Sequence, residues 1–384
     1  MSEKRKDNKG RILRSGESQR NDGRYMYRYT DRNGSRQCAY AKTLNELREI
    51  EDAVRKCAYD GVDYNAGTMT VGELLDSYLS SKRNLRKSTA SMYKSAASSI
   101  KSTCGCAKQI KSFRPSDARH MMCELYDSGR SYSYIELLKR MLSSAFRQAI
   151  EDGSVQRNPF TFNLADVLPN DTKRRRALTG KETADFLNAA KDGLFGERYY
   201  DEILLMLYTG LRVSELYGLT VYDVDLAERC LSVNKQLLYD GRLYIEKPKT
   251  DSGVRKIPIV DEAAFDVLSR VVKKRRRPQV EWIVDGYTGF LFLDDKGVPK
   301  KSHSIQHAMS AMIDEYNMSH AQKLPKITPH VLRHTYCTNM IVNGVDPRTV
   351  QYLMGHGNIA VTMNVYSHID YERAKKALKR AASE

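Results

Sequence analysis

No run of eighteen or more apolar residues occurs anywhere in the chain, so no segment reads as a membrane-spanning helix. The first residues, MSEKRKDNKGRILRSG, carry charge without an apolar core, and a secretory leader is not expected. Cysteine is sparse and unpatterned: seven residues, at 38, 57, 104, 106, 123, 230 and 337, an odd set that argues for a reducing compartment and against a disulfide framework. Cys104 and Cys106 form a CGC, but two thiolates make only half a zinc site, and small residues in a turn are the better reading. A carboxylate cluster of the kind that gathers Mg²⁺ is missing. A lipidation motif and a strongly amphipathic basic helix are missing too, which weakens a membrane surface as partner. Histidine is rare, eight residues in 384, yet four of the eight fall between 330 and 368.

What the chain has in excess is positive charge. Lysine and arginine number 63 against 47 acids, a formal +16, which fits a polyanion partner, nucleic acid before any other. At 384 residues there is room for two or three domains. The fold class expected is multidomain and mainly α with small β-sheets.

Residues 1–66 open with twelve Lys/Arg against five Asp/Glu in the first 42 positions. Within them 24-RYMYRYTDRNGSRQCAYAK-42 reads as two strands around an Asn-Gly turn, and 11-RILRSGESQR-20 could add a third. Thr43 and Glu46 make a capping box for a helix that ends by Gly61. Arg24 and Arg28, interleaved with Tyr25, Tyr27 and Tyr29, are candidate DNA contacts, since a small sheet can enter the major groove. Residues 67–165 read as four helices forming one bundle, with Lys82, Arg83, Arg86, Lys87 and Lys94 as a phosphate-facing side. Residues 166–176, ending in the basic run with Arg174 and Arg175, read as an extended linker. Residues 177–384 begin at the cap-like Thr179 and read as a helical domain interrupted by strands at 230–238, 242–247 and 254–260, with helices at 261–277 and at the C-terminus, 371–384.

The residues able to do chemistry lie in this last part. Arg212 stands in 208-YTGLRVSEL-216, after a buried-looking helix broken by Gly210, and Arg333 stands three residues beyond His330. Either arginine alone is a better salt-bridge partner than catalyst. Two converging on one phosphate give parallel N–H···O bonds that lysine cannot copy. Lys249, beside the turn Asp251-Ser252-Gly253, is held forward on a hairpin, although a lone hairpin lysine is usually surface. His330 and His356 supply imidazoles near neutral pH, with His334 and His368 as packing or supporting candidates. Tyr366 is one of 24 tyrosines, and its hydroxyl, with a pKa near 10, is a poor nucleophile unless cations meet its charge. Two arginines, a lysine and histidines would meet it, and would stabilise a pentavalent phosphorane without a metal.

These stretches resemble the tyrosine recombinase, or phage integrase, family. TGLR-x-SE, the hairpin lysine, H-x-x-R-H, L-x-GH and Y-[ST]-H stand here as Arg212 with Glu215, Lys249, His330 with Arg333, His356 and Tyr366. The resemblance spans the chain and is greatest to integrases of Gram-positive conjugative transposons. It implies an arm-type DNA-binding domain at 1–66, a helical, SAM-like core-binding domain at 67–165, and a catalytic domain with a C-terminal helix at 177–384. It also implies site-specific integration and excision of a mobile element through a 3′-phosphotyrosyl intermediate and a Holliday junction. Tyr366 would be the nucleophile and Lys249 the acid for the leaving oxygen. Arg212, Arg333 and His356 would hold the non-bridging oxygens, His330 would assist, and Glu215 would support the site. No cofactor and no metal is expected. The partners implied are double-stranded DNA with core and arm-type sites, three further copies in a homotetramer, an excisionase and a host DNA-bending protein. The place implied is the cytoplasm, on the bacterial nucleoid. Two rivals stay open at this stage, a type IB topoisomerase-like relaxase and a non-catalytic DNA-binding protein on the same fold.

Overall fold

The computed structural model describes residues 5–30, 34–59, 69–172, 176–193, 195–248, 250–275 and 280–366. The chain divides into two compact units, 1–173 and 174–384.

The first unit begins with an antiparallel sheet, β1 (Glu17–Gln19), β2 (Tyr25–Thr30) and β3 (Arg36–Ala41), in that order, followed by α1 (Leu44–Tyr59). Glu46 N–H donates to Thr43 Oγ1 and Thr43 N–H to Glu46 Oε2, closing the expected capping box. Tyr25 and Tyr27 pack against Leu44, Leu47 and Val54 of α1. These tyrosines are therefore core, and Met26 between them is buried as well, so that Arg28 is the first exposed side chain of β2. Among the described residues of this small module, the acids Asp7, Glu17 and Glu51 are buried. Arg11 and the Tyr25 hydroxyl reach Asp7, Arg48 reaches Glu17, and Arg14 reaches Glu51.

The helical part comprises α2 (Val71–Ser81), α3 (Lys87–Lys101), α4 (Pro115–Asp127) and α5 (Tyr132–Glu151). Thr70 and Glu73 form the box that starts α2, a device contributing about 1 kcal/mol. Phe113, Phe146 and Phe160 form the aromatic centre of the core, with ring centroids 5.6–5.8 Å apart. Leu164 and Leu168 are buried in the same core, so the start of the stretch 166–176, whose polar, proline-broken character suggested an extended linker, packs down through Leu168. Cys106 is buried beneath Gly72 in a 3-10 turn, while Cys104 is exposed.

The second unit opens with α6 (Gly180–Asp192), started by a Thr179–Glu182 capping box, then α7 (Gly196–Thr209) and α8 (Val213–Gly218). The backbone N–H of Leu178, just ahead of α6, donates to the buried Thr335 Oγ1 at 3.0 Å. Strands β4 (Val224–Asp225), β5 (Cys230–Val233) and β8 (Arg255–Pro258) make one antiparallel sheet, whereas β6 (Gln236–Asp240) pairs with β7 (Arg242–Glu246). The expected strand 230–238 is thus two strands in two sheets. It breaks at Asn234-Lys235 because both side chains turn onto the buried Asp223, Lys235 at 2.5 Å. Helices α9 (Glu262–Lys274), α10 (Ser302–Ser319), α11 (Pro329–Val342), α12 (Pro347–Met354) and α13 (Ile359–Tyr366) complete the unit around a core that includes Phe186, Tyr217, Phe290, Met309 and Leu332. Among the described residues no helix is long and apolar enough to cross a membrane. The expected C-terminal helix at 371–384 lies outside the described residues.

Candidate active site

The site is built on the C-terminal end of α12. A helix ends with carbonyls that have no partner within it. Here Gly355 takes the left-handed conformation, φ +60°, and the three carbonyls of Leu353, Met354 and Gly355 each accept from a different arginine. Arg255 Nε donates to Leu353 O at 2.7 Å, Arg333 Nη2 donates to Met354 O, and Arg212 Nη2 reaches Gly355 O at 3.4 Å. The negative end of the helix dipole favours this gathering of cations. His356 follows directly.

One carboxylate sits among the three guanidinium groups. Glu215 is fully buried, and its Oε2 accepts from Arg255 Nη2 at 3.0 Å and lies 4.0 Å from Arg333 Nη1. Its Oε1 accepts from Arg212 Nη1 at 2.6 Å, and the Arg212 backbone N–H donates to Oε2 at 3.0 Å, because Arg212 is the N-cap of α8 and Glu215 its third residue. Burial pushes the Glu215 carboxyl up, but Arg255, Arg212 and Arg333 outweigh that and hold it below the usual carboxylate range.

Arg333 is buried, its Nη1 donating to Gly210 O at 2.5 Å. Burial, then Arg212 and Arg255, pulls it down to about 9, so it stays charged at neutral pH. Arg212 keeps its side chain 31% exposed, the open edge of the cluster. Gly210 caps α7 at φ +65°, and a Cβ there would stand 2.4 Å from the Tyr336 ring, so the chain approaches α11 at a distance only glycine permits.

His356 is half-buried, with Nδ1 2.9 Å from Oγ1 of the buried Thr362 on α13. Burial and then Arg333, Arg212 and Arg255 bring its pKa down to about 4, leaving a neutral imidazole at pH 7. Thr362 joins this ring to the helix whose last residue is Tyr366, one turn on. Only the backbone of Tyr366 is described. His330 is exposed at the second position of α11, and His334 lies next to Thr338 Oγ1 at 3.3 Å. Lys249 and His368 lie outside the described residues. The turn following Lys249 is described: a Cβ on Gly357 would fall 2.8 Å from Thr250, and one on Gly355 would fall 3.1 Å from Ser252 O, so this turn rests on the loop that carries His356.

Arg212, Glu215, Arg333 and His356 therefore lie together, and Arg255 joins them unannounced. Its signal was available in 254-VRKIPIV-260, where strand alternation puts Arg255 on the same side as Ile257 and Ile259. A buried guanidinium is too costly to be left without partners.

Residues 176–373 match the phage integrase family, and residues 1–58 match the DNA-binding domain of the Tn916 integrase. The chain belongs to the phage integrase family. It is a site-specific DNA recombinase serving integration and excision. It is 40% identical over 400 residues to a transposase from transposon Tn1545 of Streptococcus agalactiae, covering 100% of this chain and 98% of that protein. Identity to the transposase from Tn916 of Enterococcus faecalis is also 40%, with the same coverage. Among solved structures, the Tn1549 transposon integrase in complex with transposon right end DNA is similar with a TM-score of 0.77 at 36% identity, over 82% of this chain and 100% of that one. A lambda integrase tetramer bound to a Holliday junction shares the fold, with a TM-score of 0.58 at 19% identity, over 91% and 94% of the two chains.

Of the basic residues expected to meet DNA, Arg24 is exposed and pairs with Asp22 at 2.7 Å, and Arg28 is exposed opposite Cys38 on β3. Lys82 is exposed at the end of α2, above the Tyr78 ring, and Arg83, Lys87 and Lys94 are exposed as well. Arg86 is half-buried as the N-cap of α3. Arg174 and Arg175 lie outside the described residues.

Proposed function

We propose that this integrase-family chain cuts and rejoins DNA with Tyr366 as nucleophile. The Tyr366 oxygen attacks the scissile phosphorus, the bond to the 5′ oxygen breaks, and a 3′-phosphotyrosyl link forms. Lys249 gives a proton to the departing 5′ oxygen. Arg212, Arg333 and His356 bind the non-bridging oxygens, with His330 assisting in phosphate binding or proton transfer and Glu215 and His334 in support. The observation that carries this reading is the cluster of three arginines around Glu215 at the end of α12, beside a neutral His356 one short helix away from Tyr366. Such an array is pre-set for charge that develops on a phosphorane, with no reorganisation at the moment of reaction.

The phosphotyrosine conserves the energy of the broken bond, so rejoining to a partner strand draws on neither ATP nor a metal ion. Four protomers on two core sites exchange one pair of strands, pass through a Holliday junction and exchange the second pair. Residues 1–66 hold arm-type sites and 67–165 the core site, with Arg24, Arg28, Lys82, Arg83, Arg86, Lys87, Lys94, Arg174 and Arg175 meeting the backbone or grooves. An excisionase and a host DNA-bending protein set the direction, on the bacterial chromosome in the cytoplasm.

The test is a nicked suicide DNA carrying the element's end sequence, incubated with the protein in EDTA and without ATP. A covalent adduct mapped by mass spectrometry to Tyr366, on the 3′ side of the cut and absent in Tyr366→Phe, is the expected result. Sequence-specific DNA binding without any adduct would overturn the reading.

A further inference from the structure

Arg255 belongs to the arginine cluster but touches no phosphate oxygen in the chemistry just described, and it is the most completely enclosed guanidinium at the site, its side chain 0% exposed. It spends its donors on three separate segments. Nε donates to Leu353 O at 2.7 Å, Nη1 to Gly253 O at 3.1 Å, and Nη2 to Glu215 Oε2 at 3.0 Å. Each of these segments carries a different group of the proposed chemistry. Glu215 grips Arg212 through both its side chain and its backbone N–H. Gly253 closes the turn that follows Lys249, and its close approach to Pro248 ties the two sides of that turn together. Leu353 stands three residues ahead of His356.

We propose that Arg255 is a positioning residue for strand cleavage, one planar fork that fixes the mutual placement of Arg212, the turn following Lys249 and the loop bearing His356. Lysine offers three N–H groups from a single point and cannot address three acceptors lying around the rim of a plane. Geometry, rather than charge alone, is what this residue supplies. The inference rests on the cleavage reading above. Its charge also enters the electrostatics of the site. Glu215 is faced by Arg212 from its own helix, by Arg255 from β8 and by Arg333 from α11, and His356 is faced by the same three arginines and by Glu215.

The experiment uses the full chain and the suicide DNA in single turnover, with DNA binding measured by fluorescence anisotropy and folding by thermal unfolding. Four variants are compared with wild type: Arg255→Lys, Arg255→Gln, Glu215→Gln and the double variant Arg255→Gln/Glu215→Gln. An adduct in wild type establishes the cleavage reading first, so a failure there is separate from a failure here. Given that adduct, Arg255→Gln is expected to cleave about 100-fold more slowly, the scale on which a misplaced active-site group costs rate, while DNA affinity stays within about threefold. In the double variant the Arg255–Glu215 link is lost once, although each single variant also loses it, so the double loss of rate is expected to be smaller than the product of the two single losses. Arg255→Lys is expected to fold and bind but recover less than about a tenth of the rate, for want of the planar fork. If Arg255→Gln fails to fold, the lysine variant and the double variant decide. Wild-type cleavage in any folded Arg255 variant overturns the proposal, and so does a double variant in which the two losses multiply.

Discussion

Replacing Gly210 with alanine tests whether the site depends on the close passage of α7 over α11. The residue sits at φ +65°, where a Cβ costs about 1 kcal/mol. That Cβ would stand 2.4 Å from Tyr336 Cδ1 and 3.1 Å from Met354 Sδ, both in buried side chains, and overpacking of this kind adds about 2 kcal/mol. The sum, about 3 kcal/mol, corresponds to a fall in Tm of about 6–12 °C for a unit of this size. The Gly210 carbonyl is also the acceptor for Arg333 Nη1, so a shifted backbone displaces that guanidinium, and cleavage should fall by about 100-fold. Gly344→Ala is the control: φ there is +84°, but nothing lies within 4 Å of its Cβ, so only the backbone cost of about 1 kcal/mol applies. Urea or thermal unfolding and single-turnover cleavage are the assays. Equal losses at the two glycines, or wild-type cleavage by the Gly210 variant, would refute the argument.

Three further outcomes are expected. His356 is neutral in the folded chain and takes up a proton more readily once unfolded, so its contribution to stability is full above pH 6.5 and drains away as pH falls toward 4. A His356→Gln chain should therefore lose less Tm across that window, and parallel curves for the two proteins would contradict this. Thr362→Val removes the hydroxyl on His356 Nδ1 without changing side-chain shape, and should slow cleavage about tenfold with DNA binding intact; an unchanged rate would show that the ring is oriented by something else. Lys82→Ala should weaken binding to every DNA sequence and reduce the salt slope by about one, and an unchanged slope removes Lys82 from the interface.

Much of the site was legible because its chemistry is written in short local motifs. TGLR-x-SE places Arg212 and Glu215 at the start of one helix, where N-cap and third residue must meet, and H-x-x-R-H sets His330 and Arg333 one turn apart. Long-range packing was harder to read. Arg255 gains its meaning from carbonyls 98 and 2 residues away, and only its inward strand parity hinted at burial. The division of 230–238 into two strands depends on Asp223, which captures Lys235 from outside the segment. Tyr25 and Tyr27 look the same in sequence whether they face solvent or α1, since alternation names two faces without saying which is inside. Thr362 carried no local mark at all: its role exists only because the loop after α12 brings His356 back onto α13.

The hydrogen bond from Leu178 to Thr335 ties the start of the second unit to its candidate site. Thr335 is two residues from Arg333 on α11, fully buried, and its hydroxyl is anchored in turn to Val331 O at 2.9 Å. The chain entering α6 is therefore fastened at a buried point, in the middle of α11. A backbone amide far away in sequence thus shares its anchor with the helix that carries Arg333.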